Sequence, residues 1–247
     1  LRIPAAALPR RAPADDLQPP TAPDFELPPV PVPAADEVAP LVLATAISRL
    51  LEETNVFDRG HAARMTRYVR ALASMARPGG EYERLKDRAF VDMLESVAPL
   101  HDVGMLAIPT ELLLKPCRLD AEEEMVVQTH TTVGSEVLVD LAAKYSSSLP
   151  ALTLAAEVVR SHHERWDGTG YPDLLSGADI PLAARVVAVA SAYDALRSRR
   201  PYRPALTHAR AVRVMTAECP GQFDPVLLAA FAAAADQFDR AHQQHPR

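Results

Sequence analysis

Three properties of the chain predict an all-α fold. Alanine is abundant while aromatic residues make up only 5%, a balance that favours packed helices over sheets. From Leu41 onward apolar residues recur at spacings of three and four. Strand signals are sparse, and no internal repeat is evident. With 48% apolar residues over 247 positions, the composition is that of a globular protein with one large domain or two small ones. The helical pattern covers about 200 residues of it.

Residues 1–40 hold 11 of the 23 prolines, including the run Leu27-Pro28-Pro29-Val30-Pro31-Val32-Pro33. Proline removes the amide donors a helix needs, so this segment is expected to be an extended linker, or a tail without a role of its own. Helices are expected over Val42–Glu53, Arg59–Ala76 and Arg84–Leu100. Asp120 and Glu123 read as a capping box opening a helix that carries His130. Leu152–Ser161 leads into a double histidine. Pro181 suits a first helical turn, and Leu182–Leu196 is apolar on almost every side, as a buried helix is. Helices over Ala209–Ala217 and Asp224–Phe238 close the pattern, leaving 241–247 as a tail.

The net charge, 26 − 32 = −6, gives no general nucleic-acid-binding surface, so an anionic ligand needs a local basic patch. No stretch approaches the roughly 20 apolar residues of a membrane span. Cys117 and Cys219 are far apart and lack metal-type spacing, which fits a reducing, cytoplasmic compartment. The first residues lack a signal-peptide core, and a first residue of Leu rather than Met leaves an upstream sensor or receiver domain open.

His162-His163-Glu164-Arg165-Trp166-Asp167-Gly168-Thr169-Gly170-Tyr171-Pro172 is the most informative stretch. Adjacent imidazoles reach one centre only where an element ends and the backbone turns, and the glycines permit such a turn. A metal centre at a helix-to-loop junction is the first expectation. His101 and Asp102 can likewise bind one ion, with the carboxylate free to bridge to a second. Imidazole with carboxylate and no thiolate suits Mn, Fe or Zn outside a structural zinc site.

With these residues in view the chain resembles the HD-GYP family, the metal-dependent phosphodiesterases of bacteria that hydrolyse cyclic di-GMP. The resemblance covers residues 41–240. It rests on ordered blocks: His61-Ala-Ala-Arg64, His101-Asp-Val-Gly104, Ile108-Pro109, His130 with Gly134, and His162 to Pro172. Ile180-Pro-Leu-Ala-Ala-Arg185, Tyr193-Asp-Ala-Leu196, Arg200-Pro-Tyr-Arg203 and Phe223-Asp-Pro225 follow. It implies an HD-type helical bundle with a metal site at its centre. His61, His101 and Asp102 would hold one ion. Asp102, as bridge, would join His130, His162 and His163 at the second.

The implied activity is hydrolysis of cyclic di-GMP to linear pGpG, or on to GMP, by a hydroxide held between two ions, iron or manganese. Asp102 and His101 are the implied catalytic pair. Arg200 and Arg203 are assigned to phosphate binding, and Tyr171 is placed with them in the substrate set. Arg197 and Arg199 read instead as a solvated helix end. Glu164, Arg165, Asp167, Gly168, Gly170, Pro172 and Asp194 are expected to support the site rather than react. The family also implies GGDEF-type diguanylate cyclases as partners, and a homodimer is left open.

Two positions depart from the family pattern. Ser191 stands where the family has an Asp that closes the first metal site, so that ion should be held more weakly and only one ion firmly. Met105 replaces a Lys, removing a charge-assisted contact to phosphate of roughly 1.5–3 kcal/mol. Phe57, four residues before His61, excludes the Glu of trinuclear members. The alternative function is therefore an impaired domain that senses cyclic di-GMP or docks a protein. Another HD-type phosphohydrolase fits less well, because of His130 and the His162–Pro172 block.

Overall fold

Gly60, in the left-handed region at φ 88°, turns the chain into helix α1 (His61–Met75). The computed structural model describes residues 46–47, 60–144, 150–199 and 204–245. The Pro-rich segment, Phe57, Arg200 and Arg203 lie outside the described residues. So does the helix expected over 42–53, apart from helical Ala46 and Ile47.

After α1 and a 3-10 segment, Gly80–Lys86, Asp87 caps α2 (Arg88–Val97) by accepting from the Ala89 amide at 2.9 Å. The expected helix over 84–100 is thus broken at its N-terminal side and ends in a 3-10 turn, Ala98–Leu100. A third 3-10 segment, Val103–Ala107, and the short α3 (Thr110–Leu113) lead to α4 (Ala121–Gln128). The capping box at Asp120 and Glu123 is formed in both directions. It does not open the helix of His130, however. Thr129 ends α4, and His130 is the first residue of α5 (His130–Lys144).

Helix α6 (Pro150–Ser161) pairs with α5, and α7 (Leu182–Arg197) runs through the middle of the core. Pro181 sits at the N-cap of α7 rather than in its first turn. Most of α7 is buried, including Ala184, Val186, Val187, Val189 and Ala190, as its uniform apolarity requires. Helix α8 (His208–Arg213) passes into a π-helical turn, Val214–Glu218, and α9 (Pro225–Gln244) packs along α1. Helix α9 continues through the segment expected to be a tail, because Ala241 is buried on its core face. No strand occurs among the described residues.

The core is aliphatic with one aromatic knot. Tyr68 stacks on Phe238 at 4.4 Å, and the edge of Tyr193 meets both rings. A polar tie joins α7 to α9. The Arg185 guanidinium, only 2% exposed, donates to Ile180 O at 2.8 Å and to Asp224 Oδ2 at 2.7 Å, and also meets Glu81. Asp224 uses its other oxygen to cap α9 at the amides of Val226 and Leu227. Two of the sequence blocks, at 180–185 and 223–225, are therefore two ends of one structural contact. Asp224→Ala should lower unfolding free energy by about 3 kcal/mol, since it removes one carboxylate partner of a buried guanidinium together with a cap, leaving Arg185 only Glu81 and Ile180 O. Chemical denaturation measures this. A loss under about 1 kcal/mol, typical of a cap alone, would show that the ion pair contributes nothing.

Candidate metal centre

Four histidines converge on the carboxylate of Asp102, and a fifth, His61, stands beside His101 and is bonded to Asp194 instead. His61 opens α1, His101 and Asp102 form the turn between the 3-10 segments Ala98–Leu100 and Val103–Ala107, His130 opens α5, and His162 and His163 follow the last turn of α6. Successive ring centroids lie 5.3 Å apart for His61 and His101, 5.0 Å for His101 and His162, and 4.1 Å for His162 and His163. His130 lies 5.1 Å from His163. His101, Asp102, His130 and His162 are buried, and His163 is partly so.

Hydrogen bonding behind the rings decides which nitrogen faces inward. His101 Nδ1 donates to Ala98 O at 2.9 Å, His130 Nδ1 to Val127 O at 2.7 Å, and His162 Nδ1 to Val159 O at 3.0 Å. A carbonyl can only accept, so each Nδ1 carries the proton and each Nε2 of the neutral ring presents a lone pair. Those three Nε2 atoms lie 3.1–3.3 Å from Asp102: His101 at Oδ2, His130 and His162 at Oδ1. None makes a hydrogen bond there, and Asp102 Oδ1 has no hydrogen-bond partner either. Lone pairs and a carboxylate converging in a dry interior repel one another unless a cation lies among them. This donor set fits a divalent metal. Asp102, His130, His162 and His163 each offer one atom, and these atoms lie within 4.8 Å of one another.

The charge states of His162 and His163 agree with that reading, whereas His101 holds a proton more tightly than an ordinary imidazole. Burial holds His163 well below the usual imidazole range and lowers His162 as well, so both are neutral ligands near pH 7. Burial would raise Asp102, but His101 and the contacts from His130 and His162 hold it well below the usual carboxylate range. Burial also acts to lower His101, yet the adjacent Asp102 charge leaves it raised.

His61 is held differently. Its Nδ1 donates to Asp194 Oδ2 at 2.8 Å, and Asp194 is gripped by the fully buried Arg64 through Nε at 2.6 Å and Nη2 at 2.9 Å. Tyr68 adds a bond at 3.3 Å. Asp194 is thus committed to orienting His61 and to balancing Arg64. Ser191 lies one turn earlier on α7. Arg64 belongs to the His61 block of the sequence, but no role for it follows from that block. Its signal was the spacing of three from His61, which places both on one helix face.

Two glycines make the convergence sterically possible. A Cβ on Gly104 would lie 1.9 Å from the His130 carbonyl oxygen, and one on Gly134 would lie 2.9 Å from the Gly104 amide. The His101–Asp102 turn can therefore press against α5 only with hydrogen at both positions. Gly170 folds the following loop onto the double histidine in the same way, since its Cβ would meet the Arg165 amide at 2.3 Å.

The rest of that loop is self-tied. Glu164 accepts from the amides of Asp173 and Leu175, and Arg165 binds Asp167 and Thr169. Gly168 takes a left-handed φ of 78°, and the Tyr171-Pro172 bond is cis. Tyr171 stacks on His163 with centroids 4.8 Å apart. Arg197 is paired with Asp239 and Tyr193, away from this cluster's hydrogen bonds. Met105 follows Gly104 in the 3-10 segment and is partly exposed.

Two outcomes are expected. Gly104→Ala should abolish tight metal binding in a titration, because the clash separates Asp102 from His130. Retained affinity would show that the close approach is unnecessary. Metal affinity should also fall on acidification, as protons return to the ligands. His101 is raised, so the loss begins above its ordinary value of 6.5. Titrations at about pH 8 and about pH 6 test the sign, and equal affinity would contradict it.

Comparison with known proteins matches this arrangement to a family. A family model described as an HD domain matches residues 46–227. A cyclic di-GMP phosphodiesterase of Vibrio cholerae is 38% identical over 197 residues, covering 80% of this chain and 40% of that protein. A 3′3′-cGAMP-specific phosphodiesterase of the same organism is 34% identical over 196 residues, covering 79% and 34%. The chain thus spans less than half the length of these curated relatives. Among solved structures, an HDG"Y"P protein from Bdellovibrio bacteriovorus shares the fold with a TM-score of 0.56 at 20% identity, covering 83% of this chain and 61% of that one. The chain belongs to the HD domain family.

Proposed function

We propose that this chain is a metal-dependent phosphodiesterase domain that hydrolyses cyclic di-GMP to pGpG, and on to GMP if the linear product is retained. The observation that carries the proposal is the inward-facing set of imidazole Nε2 atoms around Asp102, each fixed by a hydrogen bond behind it. The names of the relatives supply the substrate class, a cyclic dinucleotide.

His130, His162, His163 and Asp102 would hold one divalent ion, and His61, His101 and Asp102 the other, with iron or manganese suited to this donor set. The bound metals supply Lewis acidity toward the phosphodiester and lower the pKa of water. The chain's own part is positioning. Asp102 turns one oxygen toward His101 and the other toward His130 and His162, which supports giving it the bridging role. Tyr171, stacked on His163, would pack against a base or ribose. Arg200 and Arg203 would fork onto phosphate oxygens. Asp194 orients His61 and Glu164 fixes the loop. A GGDEF-type cyclase or an upstream receiver domain is the proposed protein partner.

Purification without oxygen in the presence of manganese or iron, with metal analysis and a cyclic di-GMP assay, tests the reading. Two ions per chain and product formation lost in Asp102→Ala are expected. One ion, nucleotide binding and no product would replace the enzyme with a sensor. Ser191→Asp should raise metal content toward two ions and increase turnover, and no change in either would remove Ser191 as the cause of a weak first site. Met105→Lys should tighten nucleotide binding by roughly 1.5–3 kcal/mol at unchanged metal content. Altered stoichiometry with unchanged affinity would contradict that assignment.

A further inference from the structure

Helices α1 and α9 leave a groove between them of about 570 Å³, away from the histidine cluster's own ligands. Arg67, Arg70 and Arg240 give it three cations, Thr66, Gln237, Gln244 and His245 complete its polar lining, and none of the residues that form it is acidic. That is unusual in a chain with a net charge of −6. Arg70 is satisfied by a bidentate pair with Glu95. The other two arginines are not neutralised in this way. Arg67 Nε donates to His245 Nε2 at 2.9 Å, so its partner is an uncharged ring. Arg240 is exposed and makes no ion pair with a described carboxylate. Burial, followed by the charges of Arg67 and Arg64, lowers the His245 pKa, as a positive local field would.

We infer that this groove is a second anion site, taking the phosphoryl group of a small phosphorylated ligand between Arg67 and Arg240, and that its occupancy is felt at His61. Two guanidinium groups and two amides match the oxygens of a phosphoryl group, and the volume admits a ligand of nucleotide size. Ala63, Ala71 and Ala241 give the groove a flat apolar floor suited to a base.

The link to His61 is explicit in the contacts. The His245 carbonyl oxygen accepts from Arg64 Nη1 at 2.9 Å, Arg64 grips Asp194, and Asp194 orients His61. The start of α1 also touches His245 directly, since a Cβ on Gly60 would lie 3.1 Å from that same oxygen. A phosphoryl group that draws Arg67 away from the His245 ring shifts the residue on which Arg64 leans. The site itself does not depend on the proposed phosphodiesterase activity; only its consequence does.

Inorganic phosphate is the probe, titrated calorimetrically at constant ionic strength into the intact chain. Saturable binding is expected in the metal-free wild type and in Asp102→Ala, weakened roughly tenfold or more in the Arg67→Gln/Arg240→Gln double variant. Both substituted side chains are exposed, so the fold is retained, and circular dichroism checks this. Tighter binding of a nucleoside monophosphate than of phosphate assigns the site to nucleotides, and equal affinity to free phosphate. Binding that survives undiminished in the double variant places the anion elsewhere on the chain and overturns the site, as does the lack of saturable binding. At matched free metal, phosphate should alter manganese affinity in the wild type and not in the double variant. An unaltered affinity in the wild type overturns the link to His61.

Discussion

A carboxylate buried among imidazole lone pairs is the constraint on which this structure depends. Asp102 has its oxygens within 3.3 Å of three Nε2 atoms, in surroundings with little water to separate them. Left uncompensated, such a group destabilises the fold by desolvation and repulsion together. With a cation among the ligands, the same atoms become a binding site, and the burial that was a cost strengthens each contact. Fold and chemistry are therefore coupled at one point.

The surrounding architecture keeps that point from relaxing. Three of the rings are fixed through carbonyls of the helical turn that precedes them, so secondary structure itself sets their tautomers. Gly104 and Gly134 let two backbones approach closely enough for His130 to reach Asp102. His61 alone is backed by a carboxylate, one brought from α7 and balanced by Arg64. Rotation of any of these four rings away from the centre would break a hydrogen bond behind it.

The chemistry was legible in the sequence where it resides in residue type. Histidine pairs, the His-Asp step and the glycines after them carry their chemical meaning locally, and the helical pattern follows from apolar spacing alone. What was hidden is what distant segments do for one another. Arg64 and Asp194 are 130 positions apart, and no local pattern joins them. Gly104 and Gly134 look like ordinary helix-end and mid-helix glycines until their backbones are seen in contact. The boundary between α4 and α5 was missed because a capping box marks where a helix starts and says nothing of where it stops. Thr129 carries neither the glycine nor the proline that usually signals an end.

Charge balance explains why a single hydroxyl at Ser191 matters so much to the proposed two-ion site. His162 and His163 are neutral ligands, and the carboxylate of Asp194 is already balanced by a bidentate guanidinium. Among the residues assigned to the ions, Asp102 is then the one anion. It faces His130 and His162 with one oxygen, where three imidazoles complete a ligand set, and His101 with the other. The His61 side would bring two neutral rings and a share of Asp102. A serine hydroxyl adds no negative charge there, and Asp194 cannot be released to supply it without stranding Arg64 in the core. In the proposed two-ion site, weaker retention of an ion at His61 and His101 would follow from that electrostatic deficit.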